Sequence, residues 1–385
     1  MLSCQRHLFS LPAGLHYLNC GYMSPLSKRV EEAGIAGMRR KRVPSDIGPS
    51  DFLEDLQRVR LLFSRLVNAP DPARIAVIPS ASYGLATAAR NIPVTARQNI
   101  VLVSHQFPSN VYVWRRLARS AGAELRTVEP PSDEQHRGRG WNARLLESID
   151  GDTAVVAIPQ VHWTDGTLFD LWTIGERARE KGAAIVLDGT QSVGALPIDI
   201  DRLGPDAVVC AAYKWLMGPY SIGLAYYGPR FDEGRPLEET WLARRGSEDF
   251  RRLVDYEDAY RAGAARYDVG ETSNFVLMPM LVAALEQLTE WGVPEVQGYC
   301  RYLTNRLVSE ARELGFGIEE EAWRAGHLLG LRVPAGQDPQ RMSTELTSRR
   351  VSVSLRGDVL RVSPHVYNDE ADVAALLNAV RELTT

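Results

Sequence analysis

The sequence predicts an α/β fold, with a large domain built on a doubly wound, mainly parallel sheet and a smaller α+β C-terminal domain. From about residue 70 to 227, short apolar runs alternate with segments of helical periodicity, which is typical of repeated βαβ units. After residue 272 the pattern changes to longer helical segments and short strand-like runs. A chain of 385 residues is long for one domain and can bury a sizeable core.

The strands of the large domain are predicted from runs that are apolar without alternation, as expected for strands covered on both faces. We expect them near residues 74–78, 99–103, 124–128, 153–158, 183–187, 207–211 and 222–227. Helical periodicity predicts helices near 83–90, 110–121, 143–149 and 172–181. Gly182 is expected to end the last of these as a C-terminal cap.

The rest of the chain is predicted to form a long excursion and the smaller domain. Residues 232–272 are charged and irregular, and we expect them to cross to a neighbouring subunit or to the second domain. Disorder is the alternative, but two stretches that contain Trp and Tyr argue against it. We then expect helices near 277–291, 294–314, 339–350 and 369–383, and strands near 327–333, 351–355 and 358–363. The predicted boundaries are 50–249 for the large domain, and 1–49 with 250–385 for the small domain and its N-terminal arm.

Composition excludes several classes of protein. The net charge is −4 with acids and bases interspersed, so the basic surplus of a nucleic-acid binder is missing. No run approaches the ~20 apolar residues of a membrane span. The four cysteines are scattered without a CxxC pair or a Cys/His cluster, which predicts neither a disulfide framework nor a metal site and fits a reducing, cytoplasmic setting. The sheet carries neither GxGxxG nor GxxxxGK[ST], so the common nucleotide sites are missing.

Two charged residues, Asp188 and Lys214, give the strongest functional signal. Asp188 follows the apolar run 183–187, and Lys214 lies 26 residues further along, in AAYKWLMGP. A carboxylate at the carboxyl end of a buried strand lies where such sheets bind ligands, and it needs a cationic partner. The protonated ring nitrogen of pyridoxal phosphate is such a partner, while a nearby lysine amine can form the imine that anchors this cofactor. A turn-capping Asp and a surface Lys are the alternative for each residue taken alone.

The phosphate of such a cofactor would be held at the start of a helix. IPSASYGLATAAR places Ala81 and Ser82 where a strand turns into a helix, and backbone N–H groups at a helix start bind phosphate. An ordinary serine N-cap is the alternative. Tyr213 could direct its hydroxyl to the same phosphate, or it could fill a gap under the sheet.

Together these segments resemble the class V branch of the fold-type I pyridoxal phosphate enzymes, which includes cysteine desulfurases, kynureninases and isopenicillin N epimerase-like proteins. The likeness covers nearly the whole chain and rests on HYLNCGYMSPLSKRV, DGTQSVGALPIDI and YKWLMGPYSIG. Within the branch, SHQFPSNVYVW, ETSNF and EETWL lean towards kynureninase. The resemblance implies that Phe107 stacks on the cofactor ring. It also implies that Trp241 and Asn274 reach the cofactor phosphate from the partner subunit of a homodimer.

The resemblance implies further contacts. Gln191 is placed near the phenolic oxygen of the cofactor or the imine, with a turn-capping amide as the alternative. His162 is placed in a loop beside the ring, with a structural histidine as the alternative. Arg361, in LRVSPHVYN, is predicted to bind the substrate carboxylate with two parallel hydrogen bonds. Arg356, across a Gly-Asp turn, is an auxiliary or alternative clamp. A surface salt bridge is the alternative for either arginine.

The shared chemistry does not name the reaction. No cysteine occurs in RRVSVSLRGDVLRVS, so sulfur transfer through a persulfide is not expected, and Asp-Gly-Thr-Gln departs from the Asp-x-x-His of kynureninase. Our leading hypothesis is a lyase that removes the α-proton of an amino acid and cleaves a bond at its β-carbon. A class V aminotransferase or an amino-acid epimerase is the alternative, and a protein that binds the cofactor without turnover is a third.

Overall fold

The computed structural model describes residues 2–132 and 136–384. Within them, the strands are β1 (His16–Tyr17), β2 (Ile75–Ile78), β3 (Asn99–Val103), β4 (Glu124–Val128), β5 (Thr153–Pro159), β6 (Ala184–Asp188), β7 (Ala207–Ala211), β8 (Gly223–Tyr227), β9 (Leu329–Arg332), β10 (Val351–Ser352), β11 (Ser354–Arg356) and β12 (Val359–Val362). The α-helices are α1 (Lys28–Arg40), α2 (Glu54–Leu66), α3 (Ala81–Asn91), α4 (Ser109–Ala121), α5 (Arg137–Ser148), α6 (Leu171–Glu180), α7 (Ile200–Leu203), α8 (Leu277–Trp291), α9 (Val293–Glu313), α10 (Pro339–Ser348) and α11 (Glu370–Thr384).

The large sheet has the strand order β2-β8-β7-β6-β5-β3-β4. Strand β8 runs antiparallel to both of its neighbours, and the remaining pairs are parallel. Parallel neighbours need crossover connections, and helices α4, α5, α6 and α7 lie in the connections between these strands. The predicted α/β class with a doubly wound, mainly parallel sheet is confirmed.

All strands of this sheet except the edge strand β4 are buried on both faces, which explains their unbroken apolar runs. On β3, Leu102 belongs to the hydrophobic cluster that contains Trp114 of α4, whereas its neighbour Val101 belongs to the cluster that contains Trp141 of α5. Successive side chains of a strand point to opposite faces, so each strand supplies both clusters.

A second sheet of three antiparallel strands, in the order β11-β12-β9, is formed by the C-terminal part of the chain. The run 351–355 was expected to be one strand, but the structure divides it between two sheets. Val351 and Ser352 pair in parallel with β1, whereas Ser354 pairs with Arg361 of β12. The N-terminal strand β1 therefore pairs with the C-terminal part of the chain. The run 351–355 is divided because its two halves pair with different strands.

One helix and one excursion differ in detail from the sequence expectation. Helix α5 begins at Arg137, whereas the sequence predicts a start near residue 143. The pattern misses the first turn because Arg137–Gly140 contain no apolar residue that would mark it. Residues 232–272 hold short 3₁₀ turns rather than longer elements. Tyr267, in the last of these turns, is completely buried beside Tyr227 of β8, so this part of the excursion packs on the large sheet. No helix in the described part of the chain is long and apolar enough to cross a membrane.

Candidate active site

A cavity of about 310 Å³ opens at the carboxyl ends of β5, β6 and β7. Pro159, Asp188 and Ala211 are the last residues of these three strands, and each lines the cavity. The end of a parallel sheet is the usual ligand position in such folds. The predicted site residues that line this one cavity are Ala81, Ser82, Phe107, Asp188, Gln191, Tyr213 and Lys214.

Asp188 is a buried carboxyl that faces the cavity. Its side chain accepts a hydrogen bond of 3.0 Å from the backbone N–H of Thr190. Burial raises the pKa of Asp188, while the bonds from Thr190 and the charge of Lys214 act in the opposite direction. Among the residues that the structure describes, no lysine, arginine or histidine forms an ion pair with Asp188. A buried carboxylate of this kind is compensated when a cation enters the cavity.

Lys214 follows β7 and brings an amine to the same cavity. Its side chain is 5% exposed, and its Nζ atom lies 5.3 Å from the ring centroid of Phe107 and 5.5 Å from that of Tyr213. Burial and the positive charge of Arg361 together lower the pKa of Lys214 to about 8, although the charge of Asp188 acts in the opposite direction. A large share of this amine is therefore neutral, and thus nucleophilic, in weakly alkaline solution.

The far end of the cavity is formed by the starts of two helices. Ser80 is the N-cap of α3, and its hydroxyl accepts a hydrogen bond from the backbone N–H of Tyr83. The next residues, Ala81 and Ser82, line the cavity, and the Ser82 hydroxyl donates to that of Ser109 at the start of α4. The capping alternative therefore applies to Ser80, while the N–H groups of the first turn of α3 remain at the cavity, where they suit an anion.

Aromatic side chains form the walls of the cavity. Phe107 packs edge-to-face on Trp163 with ring centroids 5.4 Å apart. Tyr213 lies 4.6 Å from Tyr220, again measured between centroids, and burial raises the pKa of Tyr213. Phe107 is placed where a flat ring bound beside Lys214 could stack on it.

Gln191 lies at the cavity, but its amide is already engaged with protein groups. The amide nitrogen donates to the carbonyl of Gly21, and the amide oxygen accepts from the indole N–H of Trp215. Gln191 thereby ties the N-terminal segment to the loop that carries Lys214. These bonds favour a structural role for the Gln191 amide over the predicted contact with the cofactor.

The two predicted substrate-binding arginines lie on the hairpin of β11 and β12. Arg361 is 1% exposed, donates to the carbonyl of Trp163 (2.8 Å) and to the hydroxyl of Ser354 (3.3 Å), and has a buried Nε atom without a partner. Burial, together with the positive charge of Arg356, lowers the pKa of Arg361 to about 9. Arg361 packs close to Gly21, because a Cβ added to Gly21 would lie 3.5 Å from the guanidinium carbon of Arg361.

His162 does not reach the cavity. It is completely buried, and its ring nitrogens lie 2.7 Å from the Thr164 hydroxyl and 3.1 Å from the Ser104 carbonyl. Its ring packs on Trp141. This placement argues against the predicted contact with cofactor or substrate and favours the structural histidine, because both polar atoms of the ring are used in holding the loop.

Trp241 and Asn274, which were expected to act from the partner subunit, lie away from the cavity of their own chain. Trp241 packs on the rings of Phe52 and Phe250. Asn274 is exposed, and its side-chain oxygen accepts from the first backbone N–H groups of α8. Their role in a neighbouring site stays a prediction.

Several residues at the cavity were not predicted from the sequence. Thr190 donates to Asp188 and its hydroxyl accepts from the backbone N–H of Ala211. Thr190 could have been predicted from its position two residues after Asp188, since short polar side chains at this spacing form turns. Ser109 and Tyr220 had no comparable signal, because the sequence does not show which loops meet. Among the described residues, no group of three His, Cys, Asp or Glu is placed to hold a metal ion.

Comparison with known proteins identifies the family. A sequence model described as aminotransferase class-V matches residues 49–376. This chain belongs to the class V aminotransferase family. The family was predicted from the motifs around Asp188 and Lys214, and the prediction is confirmed.

Relatives of this class V protein carry names of different activities. It is 23% identical to an uncharacterized aminotransferase, YcbU of Bacillus subtilis, over 87% of this chain and 85% of the relative. It is 24% identical to an isopenicillin N epimerase of Streptomyces clavuligerus, over 95% and 94% of the two chains. Its fold matches the solved complex of the cystine C–S lyase C-DES and cysteine persulfide with a TM-score of 0.84, at 20% identity, over 96% of this chain and 98% of that one.

The class V family uses pyridoxal phosphate, which confirms the predicted cofactor. The residues of the cavity fit this group on their own chemistry. Asp188 is a buried carboxyl with no ion-pair partner among the described residues, Lys214 is an amine with a lowered pKa, and the start of α3 presents N–H groups to an anion. The cofactor carries one complementary group for each of them: a ring nitrogen, an aldehyde and a phosphate.

Proposed function

We propose that this class V protein is a pyridoxal phosphate-dependent lyase, which removes the α-proton of an amino acid and cleaves a carbon–sulfur or carbon–carbon bond at its β-carbon. The observation that carries this proposal is the buried Lys214 amine, with its pKa lowered to about 8, in a cavity that it shares with the carboxyl of Asp188. When bound, the cofactor supplies an electron sink for negative charge at the α-carbon. Lys214, Asp188 and the first turn of α3 would hold it.

Lys214 is the proposed acid–base group. An amine with a pKa near 8 is closer to neutrality than an ordinary lysine, so it accepts and returns a proton more readily at working pH. Burial and the charge of Arg361 are the two largest causes of that shift. The groups around the amine therefore favour transfer of a proton from the α-carbon to Lys214 Nζ.

Arg361 is the proposed partner of the substrate α-carboxylate. Its guanidinium is buried, and two of its nitrogens are fixed by Trp163 and Ser354. The buried Nε atom lacks a partner, and a carboxylate oxygen would satisfy it. Holding the carboxylate in one place determines which bond of the α-carbon faces Lys214.

Two observations support a lyase in particular. The fold neighbour named a cystine C–S lyase covers almost the whole chain. A second cavity of about 590 Å³ adjoins the first and shares Gln106 and Trp163 with it, so a leaving group has space beyond the β-carbon. Elimination from an S-substituted cysteine breaks the α C–H and β C–S bonds, consumes one water and yields a thiol, pyruvate and ammonium.

The test is incubation of the cofactor-loaded protein with S-substituted cysteines. We expect pyruvate and a thiol in equal amounts, loss of both products in Lys214→Ala, and unchanged rates in Lys181→Ala, a control lysine at the C-terminal end of α6. The relatives named aminotransferase and epimerase support the two alternatives. Conversion of the cofactor to its amine form would indicate an aminotransferase, and solvent deuterium at the α-carbon without net consumption would indicate an epimerase. Either result without pyruvate would contradict the lyase.

We further propose a homodimer with shared active sites. Large apolar side chains are more than half exposed at Tyr22 (55%), Met38 (61%) and Tyr220 (61%), which supports a subunit interface. A mixture of inactive Lys214→Ala and Asn274→Ala chains would regain activity if Asn274 serves the partner's site, because one site of each mixed dimer is then intact. No recovery after subunit exchange would contradict this.

The predicted domain boundaries and location also stay proposals. The pairing of β1 with β10 supports a small domain that includes the N-terminal arm. All four cysteines are free, which supports a reducing, cytoplasmic setting.

A further inference from the structure

The second cavity lies directly behind one wall of the active site. Its volume is about 590 Å³, and Gln106 and Trp163 line both cavities. Trp163 is held in place by a hydrogen bond of 2.6 Å from its indole N–H to the carbonyl of His105. Space for the distal part of a substrate therefore continues past the Trp163 ring.

Three arginines line this second cavity, and two of them are neutralised by carboxylates. Arg137 pairs with Asp165 and Arg332 pairs with Asp358, each at 2.7 Å. Among the residues that the structure describes, no carboxylate forms an ion pair with Arg356. Arg356 is therefore the guanidinium of this group that can bind an incoming anion without first releasing a carboxylate.

The surroundings of Arg356 leave hydrogen-bonding capacity unused. Its guanidinium lies 5.3 Å from the ring centroid of Trp163, and one of its terminal nitrogens donates to the carbonyl of Leu355. Its buried Nε atom has no hydrogen-bond partner among the residues that the structure describes. Burial lowers the pKa of Arg356. A half-buried cation that lacks both a counter-charge and a bond at Nε gains from an anionic ligand.

The pairing of β11 with β12 places Arg356 and Arg361 near each other on the hairpin. Ser354 is directly opposite Arg361, and Arg356 lies two residues after Ser354 on the same strand. Residues at this spacing project from the same face of a sheet. Arg361 and Arg356 therefore project from the same face of the hairpin, and Arg356 lines the second cavity.

A continuous series of contacts leads from the amine to this second guanidinium. Lys214 Nζ lies 5.3 Å from the Phe107 centroid, and the Phe107 and Trp163 centroids are 5.4 Å apart. The guanidinium of Arg356 lies over the Trp163 ring, 5.3 Å from its centroid. A substrate held at its α-carbon beside Lys214 could thus extend its side chain along the aromatic wall towards Arg356.

We propose that Arg356 is a specificity-determining residue that binds a carboxylate at the far end of the substrate side chain. The inference rests on the proposed function for the reacting end, and it names the substrate class: amino acids whose β-substituent ends in a carboxylate. A planar carboxylate matches the edge of a guanidinium, which can donate two parallel hydrogen bonds to it. The carboxylates of Asp165 and Asp358 in the same cavity disfavour ligands of higher negative charge, such as phosphate.

The test compares two substrates of nearly equal size with the cofactor-loaded protein. S-(2-carboxyethyl)-L-cysteine carries the distal carboxylate, and S-(2-carbamoylethyl)-L-cysteine carries a neutral amide in its place. Binding is measured from the change in cofactor absorbance, and turnover from the pyruvate formed. We expect the acid to bind at least about tenfold more tightly than the amide, with the difference in Kd and KM rather than in kcat.

Variants then assign this preference to Arg356. In Arg356→Gln the acid and the amide should bind equally, and Arg356→Lys should keep part of the preference because it keeps the charge. Arg349→Gln removes an exposed arginine that pairs with Glu382 on the surface. This control should keep the wild-type ratio of the affinities for the acid and the amide. If Arg356→Gln does not fold, the wild-type pair of substrates and Arg356→Lys still decide the question.

The inference and the proposed function fail in different ways. Equal affinity for acid and amide in the wild type, or a preference that survives in Arg356→Gln, would overturn the role of Arg356 even if elimination occurs. Preferential binding of the acid without release of pyruvate would retain Arg356 as the selecting residue and overturn the lyase. Tighter binding of S-(2-phosphonoethyl)-L-cysteine than of the acid would overturn the assignment to a carboxylate.

Discussion

Asp188 and Lys214 reach the same cavity from neighbouring parallel strands. Asp188 is the last residue of β6 and pairs with Val209 of β7, and Lys214 follows the end of β7 by three residues. A buried acid and a buried amine thus approach one ligand from adjacent strand ends. The apposition explains both perturbed groups, because each is desolvated and each partly compensates the other.

Replacement of Asp188 by Asn should affect the protein with and without cofactor in opposite ways. Without cofactor, the change removes a buried carboxyl that lacks an ion-pair partner, so the Tm should stay equal or rise. With cofactor, loss of the charge opposite the ring nitrogen should reduce kcat/KM on the order of 10²-fold or more. A large fall in the Tm of the cofactor-free variant, with normal activity of the loaded one, would contradict the assignment.

The lowered pKa of Lys214 predicts how the cofactor-free protein recaptures pyridoxal phosphate. The neutral amine is the reactive form, so the rate should rise as the pH increases through about 8 and then level off. Arg361→Gln should move this midpoint to higher pH, and Asp188→Asn should move it to lower pH, because their charges act on Lys214 in opposite directions. Stopped-flow absorbance across pH gives the midpoints. A midpoint near that of an ordinary lysine would contradict the burial of the amine.

Gly194 should be intolerant of a side chain. Its φ is +104°, and an added Cβ would lie 2.2 Å from the carbonyl oxygen of Trp215, the residue after Lys214. Gly194→Ala should therefore lower the free energy of unfolding by about 3 kcal/mol or more and weaken cofactor binding.

Gly182 is the matched control for this substitution. It also has a positive φ, +73°, but an added Cβ there meets open space. Gly182→Ala should lower the free energy of unfolding by only about 1 kcal/mol. Urea unfolding measures both variants, and equal effects would show that the contact with Trp215 is unimportant.

Two buried histidines should make the protein sensitive to acid. Burial lowers the pKa of His327 to about 4 and that of His365 to about 3, below the ordinary value of 6.5. Between about pH 6.5 and these values the unfolded chain binds more protons than the folded one, so the free energy of unfolding falls as the pH falls. Stability is fully present above about pH 6.5.

A substitution at His365 isolates this effect. Both of its ring nitrogens are buried without partners, beside the rings of Trp215 and Tyr367. His365→Phe should therefore flatten the dependence of unfolding free energy on pH between 7 and 4. An unaltered slope in His365→Phe would show that this histidine does not titrate on unfolding.

The fold was largely readable from the sequence because its central strands are buried on both faces. A run such as 183–187 is apolar throughout, as expected for a strand that is covered on both faces. The run 351–355 misled, because pattern alone does not show that Val351 and Ser354 pair with different strands. The start of α5 was missed because glycines and arginines occupy its first turn.

The sequence predicted those site residues whose position at the end of a strand determines their chemistry. It did not predict contacts that form where separate loops meet. Asp188 and Lys214 were found because they follow predicted strands. His162 occupies a comparable position, but its burial and its bonds to Thr164 and Ser104 depend on packing that the sequence does not display. The same holds for the second cavity, which forms only when the hairpin of Arg356 closes on the loop of Trp163.

The most direct test of the account is to locate the covalent attachment of the cofactor. The protein loaded with pyridoxal phosphate is reduced with borohydride, digested and analysed by mass spectrometry. The chain has only three other lysines, Lys28, Lys41 and Lys181. The account predicts a phosphopyridoxyl group on Lys214 at about one per chain. Modification of another lysine in its place, or none at all, would contradict it.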